Sequence, residues 1–512
     1  MASGEDLLMR TRANKINSVR SLGIEPYPYL YKKSKTAALL KSGYLEGLFQ
    51  NDAHKIAGRL MSYRDHGKSA FANVQDESGE IQVYFDKISL PEIKSHLLSL
   101  LDRGDFIGAE GTMFLTKRSE PTLRVRDYDL LSKATRPLPE KWHGLQDPEL
   151  KYRRRTEFLV TKPEQRENFK KRSKAISAMR EFLDRQGFLE VETPLIQQIY
   201  GGASARPFKT YVNSLEEENY LSISPEIYLK RLVAGGFERV YTICKNFRNE
   251  GIDRIHNPEF TMMECYQAYA DYHDMMSLTE NLYAYIFDNV LGSCQFKYAD
   301  PESSVGSVTI NVAPPWKRIS MLESAYEYSG IDAGSLSREE LRKRVLEIRE
   351  DEFFRKIVPR EHVERWSWGE LVQGIFSYYC EPKLIQPTFV IDHPKESTPL
   401  CKIHRKDSRL IERFEPFIYG WEIGNAYSEL NDPVRQRSLL EEQSKNRTSD
   451  EVPSEVDEAF LRAIEIGLPP TGGLGLGIDR LAMLLTNSYS IKDVILFPML
   501  RRAKLSENGS IN

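Results

Sequence analysis

The chain has 512 residues, 40% hydrophobic and 28% charged, with a formal net charge of −3. That length exceeds a single core and calls for two or three domains of ordinary globular composition. The charge balance excludes a wholly basic surface but not local basic patches, and no apolar run approaches the ~18 residues of a membrane helix.

Five scattered cysteines (Cys244, Cys265, Cys294, Cys380, Cys401) form no C-x-x-C pair. They support neither a disulfide framework nor a zinc ribbon, so no zinc is expected. The opening "MASGEDLLMRTRANKINSVRSLG" carries charges throughout and no apolar h-region, and Glu5 and Asp6 argue against a transit peptide. A reducing, cytoplasmic setting without a membrane partner is the expectation.

Residues 1–50 read as a helical extension, with apolar residues at helical spacing up to Gly23 and breaks at Pro26 and Pro28. From about residue 54 the period changes to two. "KIAGRLMSYR", "SAFANVQD" and "EIQVYFD" predict three strands, "LPEIKSHLLSLLDRG" a helix, and "DFIGAEGTMFLT" and "TLRVRDYDLLS" two more strands. That is the element order of a five-stranded OB-fold barrel over residues 51–136, although another small β-barrel shares it. A linker over 137–160 follows. It contains four basic residues within Lys151–Arg155, which suit either a solvated face or a phosphate backbone. The remainder, 161–512, mixes helices and strands. "ENFKKRSKAISAMREFLDRQGF" predicts a long helix and "LEVETPLI" a strand. Residues about 320–385 read as a helical insertion, "PTFVIDH" and "ERFEPFIYGWEIGNAYSEL" as strands, and "GGLGLGIDRLAMLLTN" as a strand or glycine turn running into a last helix. The tail after Arg501 is polar and expected to be disordered.

Four polar stretches carry chemistry. "VYTICKNFRNEG" and "EFTMMECYQAY" predict a hairpin with "IDRIHNP" as its loop. Strand periodicity then puts Arg248 and Glu250 on one face, and Glu264 and Tyr266 form a second same-face pair. Such a face is the floor of a polar ligand site or a salt-bridged sheet surface. In "FEPFIYGWEIGNAYSELNDP", Glu415 and Glu422 flank an apolar strand; two carboxylates near phosphates suit Mg²⁺, unless this is simply an exposed alternating strand. In "GLGLGIDRLAML", glycines at spacing two allow close backbone approach, and Arg480 at a helix start calls for an anion. In "GGASARPFKTY" and "YLSISPEIYLKRL", Gly202 marks a close-approach loop. Glu226 opens a helix, either as a pocket residue or as a routine dipole-stabilising one. Two arginines for a triphosphate, two carboxylates for a metal and further carboxylates for a cation point to nucleotide activation of a positively charged small molecule.

"FRNEGIDRIHNPEF" and "GLGLGIDRL" resemble motifs 2 and 3 of class II aminoacyl-tRNA synthetases, and "GFLEVETPLI" resembles motif 1. The class I signatures HIGH and KMSKS are missing. An N-terminal OB-fold is similar to the subgroup of aspartyl, asparaginyl and lysyl enzymes. "GGASARPF", "SPEIYLKRL", "ADYHD", "NAYSELNDP" and "LPPTGGLGLGIDR" resemble the lysyl branch most closely, and the likeness runs from roughly 54 to 500.

The resemblance implies an α+β chain: the anticodon-binding barrel plus a class II catalytic domain whose antiparallel sheet of six or seven strands is flanked by helices. It implies a homodimer, with room for partners in a larger synthetase assembly. It also implies a reaction in which lysine and ATP give lysyl-adenylate and pyrophosphate before the lysyl group passes to tRNA(Lys). Arg248 and Arg480 are then the catalytic arginines. Asn249, Glu250, His256, Asn257, Phe260, Glu422, Ile423, Gly477, Ile478 and Asp479 join them around ATP, and Glu415 and Glu422 hold Mg²⁺. Gly202, Glu226, Glu264, Tyr266, Asn425, Tyr427 and Glu429 form the lysine pocket. Clustered glutamates suit a cation, whereas an aspartate pocket needs the opposite sign. On the barrel, Arg59, Phe71 and Gln82 are expected to meet the anticodon, Phe71 by stacking unless it is a core aromatic. Where the family has "GELS", this chain has "SEPTLRV" with Thr122 at the glutamate's place. Either the third base is read otherwise or Glu120 has taken the role.

Overall fold

The structure, a computed structural model, describes residues 4–139, 149–301, 306–348, 363–445, 452–453 and 455–502. Part of the expected linker (140–148), part of the expected helical insertion (349–362) and the tail from 503 lie outside the described residues. The chain divides into two compact units, Met1–Lys151 with Thr156–Thr161, and Tyr152–Arg155 with Lys162–Asn512.

In the first unit, helices Gly4–Ser21 and Ala37–Leu45 precede strands β1 (Ala53–Asp65), β2 (Ser69–Gln75), β3 (Glu80–Asp86), β4 (Phe106–Leu115) and β5 (Pro121–Ser132). They close a barrel in the order β1-β2-β3-β5-β4. Only β3 and β5 run parallel. Parallel neighbours need a long crossover, here the helix Glu92–Leu100 followed by β4. Strict alternation sorts the side chains. Ile81, Val83 and Phe85 fill the interior, while Glu80, Gln82 and Tyr84 face outward.

The second unit begins with helix Arg166–Arg185 and strands β6 (Leu189–Glu190), β7 (Ile196–Gln197), β8 (Lys209–Val212) and β9 (Glu217–Leu221). Helix Glu226–Ala234 leads to β10 (Arg239–Phe247) and β11 (Glu259–Ala268). After helix Tyr272–Leu291 come β12 (Gln295–Ala299), β13 (Ser307–Asn311) and β14 (Lys317–Ser320), then helices Met321–Ser329, Arg338–Ile348 and Trp368–Tyr379. Strands β15 (Thr388–Pro394), β16 (Leu410–Ile418), β17 (Trp421–Glu422) and β18 (Gly424–Ser428), helices Pro433–Lys445 and Glu458–Gly467, β19 (Thr471–Gly477) and helix Ile478–Thr486 follow.

The main sheet has nine strands in the order β14-β15-β16-β18-β19-β11-β10-β6, with β17 paired to β16. It is thus larger than six or seven strands, and it is antiparallel only in its middle. The end pairs β14–β15 and β10–β6 are parallel, because helical segments carry the chain across before each returns. One face packs on helices Arg166–Arg185, Tyr272–Leu291 and Ile478–Thr486 through Met263, Cys265, Leu474, Leu476, Phe414 and Ala426. Residues of opposite parity on the same strands face the other way, toward a cavity.

Two local expectations change. "LEVETPLI" is not one strand: pairing stops at Glu190 and resumes at Ile196, with Pro194, which lacks a ladder N–H, between them. Strand β10 ends at Phe247, so Arg248 and Glu250 lie in the hairpin loop and not on a sheet face. The Arg248 amide still bonds Pro258 O, but the Asn249 amide turns aside to Arg206 O.

Candidate active site

A cavity of about 560 Å³ opens on the polar face of the main sheet. Strand parity supplies its floor. Glu264 and Tyr266 come from β11, Asn425 and Tyr427 from β18, and the glycines from β19, while Gly202, Glu226 and the loop after Arg248 close the sides. Of the residues expected around lysine and ATP, Gly202, Glu226, Arg248, Glu250, His256, Asn257, Phe260, Glu264, Tyr266, Glu422, Ile423, Asn425, Tyr427, Glu429, Gly477, Asp479 and Arg480 all line it. Three expected residues do not. Asn249 is exposed and held by its backbone. Ile478 points into the helix-side core. Glu415 lies buried behind the wall, its carboxylate taken by Arg413.

One end of the cavity is acidic. Ser224 Oγ donates to Glu264 Oε1 at 2.8 Å and the Tyr266 hydroxyl to Glu264 Oε2 at 3.1 Å. Burial, with Glu226 adding to it, pushes the Glu264 carboxyl up to about 8. Burial likewise raises Glu429 to about 8, against the pull of the Lys230 ammonium and with Glu226 and Glu264 raising it further. Two glycines leave room for these groups. Gly202, at φ +84°, would set a Cβ 2.9 Å from Glu226 Cβ, and a Cβ at Gly473 would fall 2.0 Å from Glu429 Oε1. Asn425 Oδ1 accepts from Arg413 Nε at 2.9 Å and its amide donates to the Tyr427 hydroxyl at 2.5 Å.

The other end is basic. The Arg248 guanidinium lies 5.1 Å over the Phe260 ring, and its buried Nε has no hydrogen-bond partner, which suits an anionic ligand. Arg480 donates to the Glu422 carbonyl, and its second Nη stands 3.1 Å from His256 Nε2. Asp253 Oδ2 accepts from the opposite ring nitrogen of His256 at 2.7 Å. Asp479 serves as a brace. Its carboxylate takes Arg172 Nη1 at 2.6 Å and the Thr261 amide at 2.7 Å, tying the start of helix Ile478–Thr486 to β11.

Glu415 and Glu422 share a strand face, since Phe417, two residues from Glu415, pairs with Glu422. The cleft and the neighbouring Glu415 carboxylate push Glu422 above the ordinary carboxylate range. Glu422 at the wall and Glu415 behind it are hard oxygen donors, a pair whose chemistry fits Mg²⁺. Among the described residues no group of three or more His, Cys, Asp or Glu is placed to hold a metal alone.

Sequence reasoning missed Lys230, Arg413 and Ser224. Lys230 stands four residues after Glu226 and Arg413 two before Glu415, spacings that bring each pair to one face of a helix or strand. Those spacings were the available signal.

On the barrel, Phe71 is outward-facing and not a core residue. It stands 5.0 Å from Tyr84, which is 5.9 Å from Phe114, making an aromatic row. Gln82 lies on the same face and is bonded by Thr122 Oγ1 at 2.9 Å. Arg59 sits four residues along from the Phe71 rung, its guanidinium 4.2 Å over Phe106 and bonded to Gly104 O. Glu120 pairs with Lys41 at 2.8 Å.

A family model described as tRNA synthetases class II (D, K and N) matches residues 147–501, and one for an OB-fold nucleic acid binding domain matches 54–131. The chain is 49% identical over 506 residues to the lysine–tRNA ligase of Pelotomaculum thermopropionicum, covering 98% of this chain and 97% of that protein. The lysine–tRNA ligase of Carboxydothermus hydrogenoformans is 47% identical over 496 residues, covering 96% and 98%. That of Thermoanaerobacter pseudethanolicus is 46% identical over 496 residues, covering 96% of each. With matched residues spanning both units and the polar face of the sheet, the chain belongs to the class II tRNA synthetase family (D, K and N).

Proposed function

We propose that this chain is a lysine–tRNA ligase that activates lysine with ATP and transfers the lysyl group to the 3′-terminal adenosine of tRNA(Lys). The observation that carries the reading is one cavity with Glu226, Glu264 and Glu429 at one end and Arg248 and Arg480 at the other. Glu264 and Glu429, which burial has made reluctant to ionise, gain most from an incoming ammonium, so the pocket favours a cationic amino acid over aspartate or asparagine.

In the first step a lysine carboxylate oxygen attacks the α-phosphorus, and the bond to the bridging oxygen breaks to release pyrophosphate. Arg248, stacked on Phe260, grips the α-phosphate as charge builds on it. Arg480 forks toward the γ-phosphate and lies against the adenine, with Glu250, His256, Asn257, Ile423 and Gly477 shaping the nucleotide's place. Glu422 at the cavity wall and Glu415 behind it would hold Mg²⁺, which would supply neutralising charge to the phosphates. In the second step the terminal adenosine hydroxyl attacks the lysyl carbonyl and AMP leaves.

The functional division follows the sequence: an N-terminal extension over 1–50, anticodon binding by 51–136, a linker over 137–160 and catalysis by 161–512, with the helical insertion at about 320–385. Phe71 stacks on an anticodon base, while Gln82 and Arg59 meet base edges. The enzyme works as a cytoplasmic homodimer. No helix among the described residues is long and apolar enough to cross a membrane.

Amino-acid-dependent pyrophosphate exchange, run with each of the twenty amino acids, tests the assignment. Exchange with lysine alone is expected; exchange with aspartate or asparagine instead, or with none, rejects it.

A further inference from the structure

Lys230, on helix Glu226–Ala234, has a side chain with no exposed surface at all. Its Nζ donates to Glu226 Oε1 at 2.6 Å and makes a second ion pair with Glu429 Oε2. Both carboxylates line the cavity, and Lys230 does not. A buried ammonium is costly unless paired, and this one is paired twice. Glu429 Oε1 has no hydrogen-bond partner and faces the space that Gly473 leaves open. Lys230 therefore takes one oxygen from each glutamate and leaves the other.

We infer that Lys230 is a positioning residue of the lysine pocket: its ammonium fixes Glu226 and Glu429 and turns their remaining oxygens toward an incoming ammonium. This rests on the ligase reading above. Among the described residues, several titratable and charged groups face the pair. Glu264 and Tyr266 come from β11, Tyr427 from β18 and Cys401 from the segment bridged to Glu429, with the Phe460 ring 5.9 Å from Nζ. Arg413 and Arg248 are the nearby guanidinium groups. Two carboxylates hold the resident cation, and a third, Glu264, faces them. Without it, mutual repulsion would drive the cluster to hold protons to higher pH, and lysine would have to displace them.

The test compares full-length Lys230→Met and Lys230→Arg with the unaltered enzyme in lysine-dependent pyrophosphate exchange from pH 6.5 to 9.5. The expected result for Lys230→Met is a KM for lysine raised about tenfold or more near neutral pH with the KM for ATP little changed. The acid midpoint of kcat/KM for lysine should also move up by about one pH unit or more. Lys230→Arg keeps the charge and should retain the original midpoint. An unmoved midpoint in Lys230→Met, or tighter lysine binding, overturns the inference. If Lys230→Met does not fold, Lys230→Gln takes its place. If neither folds, the arginine profile decides, since a displaced midpoint there also overturns it. Lack of lysine-dependent exchange in the unaltered enzyme would instead reject the ligase reading itself, which separates the two failures.

Discussion

Burial raises the Glu264 and Glu429 carboxyls above their ordinary value of 4.5, each to about 8. A carboxyl raised on folding contributes stability that is full below its unfolded value and is lost as pH rises through its folded one. The free protein should therefore lose thermal stability between about pH 5 and 8 through these two groups. Lysine, whose ammonium favours the ionised form, should raise the melting temperature more at pH 8.5 than at pH 6.5. A melting series with and without lysine checks this, and a lysine shift that shrinks with pH would contradict it. Glu226→Gln should raise the KM for lysine far more than that for ATP in pyrophosphate exchange; equal loss of both would deny Glu226 its pocket role. Arg248→Ala should slow exchange on the order of 10²–10³ while the fold, followed by circular dichroism, is kept.

Strand β19 shows what an element contributes. Its leucines, Leu474 and Leu476, pack under the sheet, so Gly473, Gly475 and Gly477 must face the cavity, and their lack of side chains makes the floor. Gly473→Ala would press a methyl against Glu429 Oε1 and to 2.5 Å from Tyr266 Cε1. The expected outcome is a raised KM for lysine together with a lowered melting temperature, because two buried side chains must shift, read by exchange kinetics and calorimetry. Much of this was legible beforehand, because period-two patterns such as "EIQVYFD" and "GGLGLG" encode which side each residue faces. The same logic misplaced Arg248 and Glu250. Alternation in "VYTICKNFRNEG" continues past Phe247, but the Asn249 amide finds Arg206 and leaves the ladder, a contact with no local signal. Proline in "LEVETPLI" was visible, and its breaking of the strand follows from the missing donor. Lys230 stayed hidden because a glutamate opening a helix, with a lysine four residues on, reads equally as a surface pair. Only the fold, which carries Glu429 to the same point, buries it.

At the scale of the molecule, the proposed function puts chemistry and anticodon reading in different units of the chain. The barrel's outer row of Phe71, Tyr84 and Phe114, with Gln82 alongside, is composed for stacking and edge contact and lies in the first unit. Every residue of the acidic and basic cavity ends lies in the second. Phe71→Ala should consequently spare lysine-dependent pyrophosphate exchange and reduce tRNA aminoacylation, with stacking of this kind worth roughly 1–3 kcal/mol per base. An unchanged aminoacylation rate would make Phe71 a purely structural residue. The claim joining all scales is that three buried glutamates receive the side-chain ammonium of lysine while two arginines hold the triphosphate beside it. A crystal structure of the full chain with lysine and a nonhydrolysable ATP analogue tests this most directly. The account predicts Glu226, Glu264 and Glu429 turned onto the ligand's ammonium, with Arg248 on the α-phosphate and Arg480 along the adenine and γ-phosphate. Carboxylates turned away from the ligand, or a triphosphate lying clear of both arginines, would contradict it.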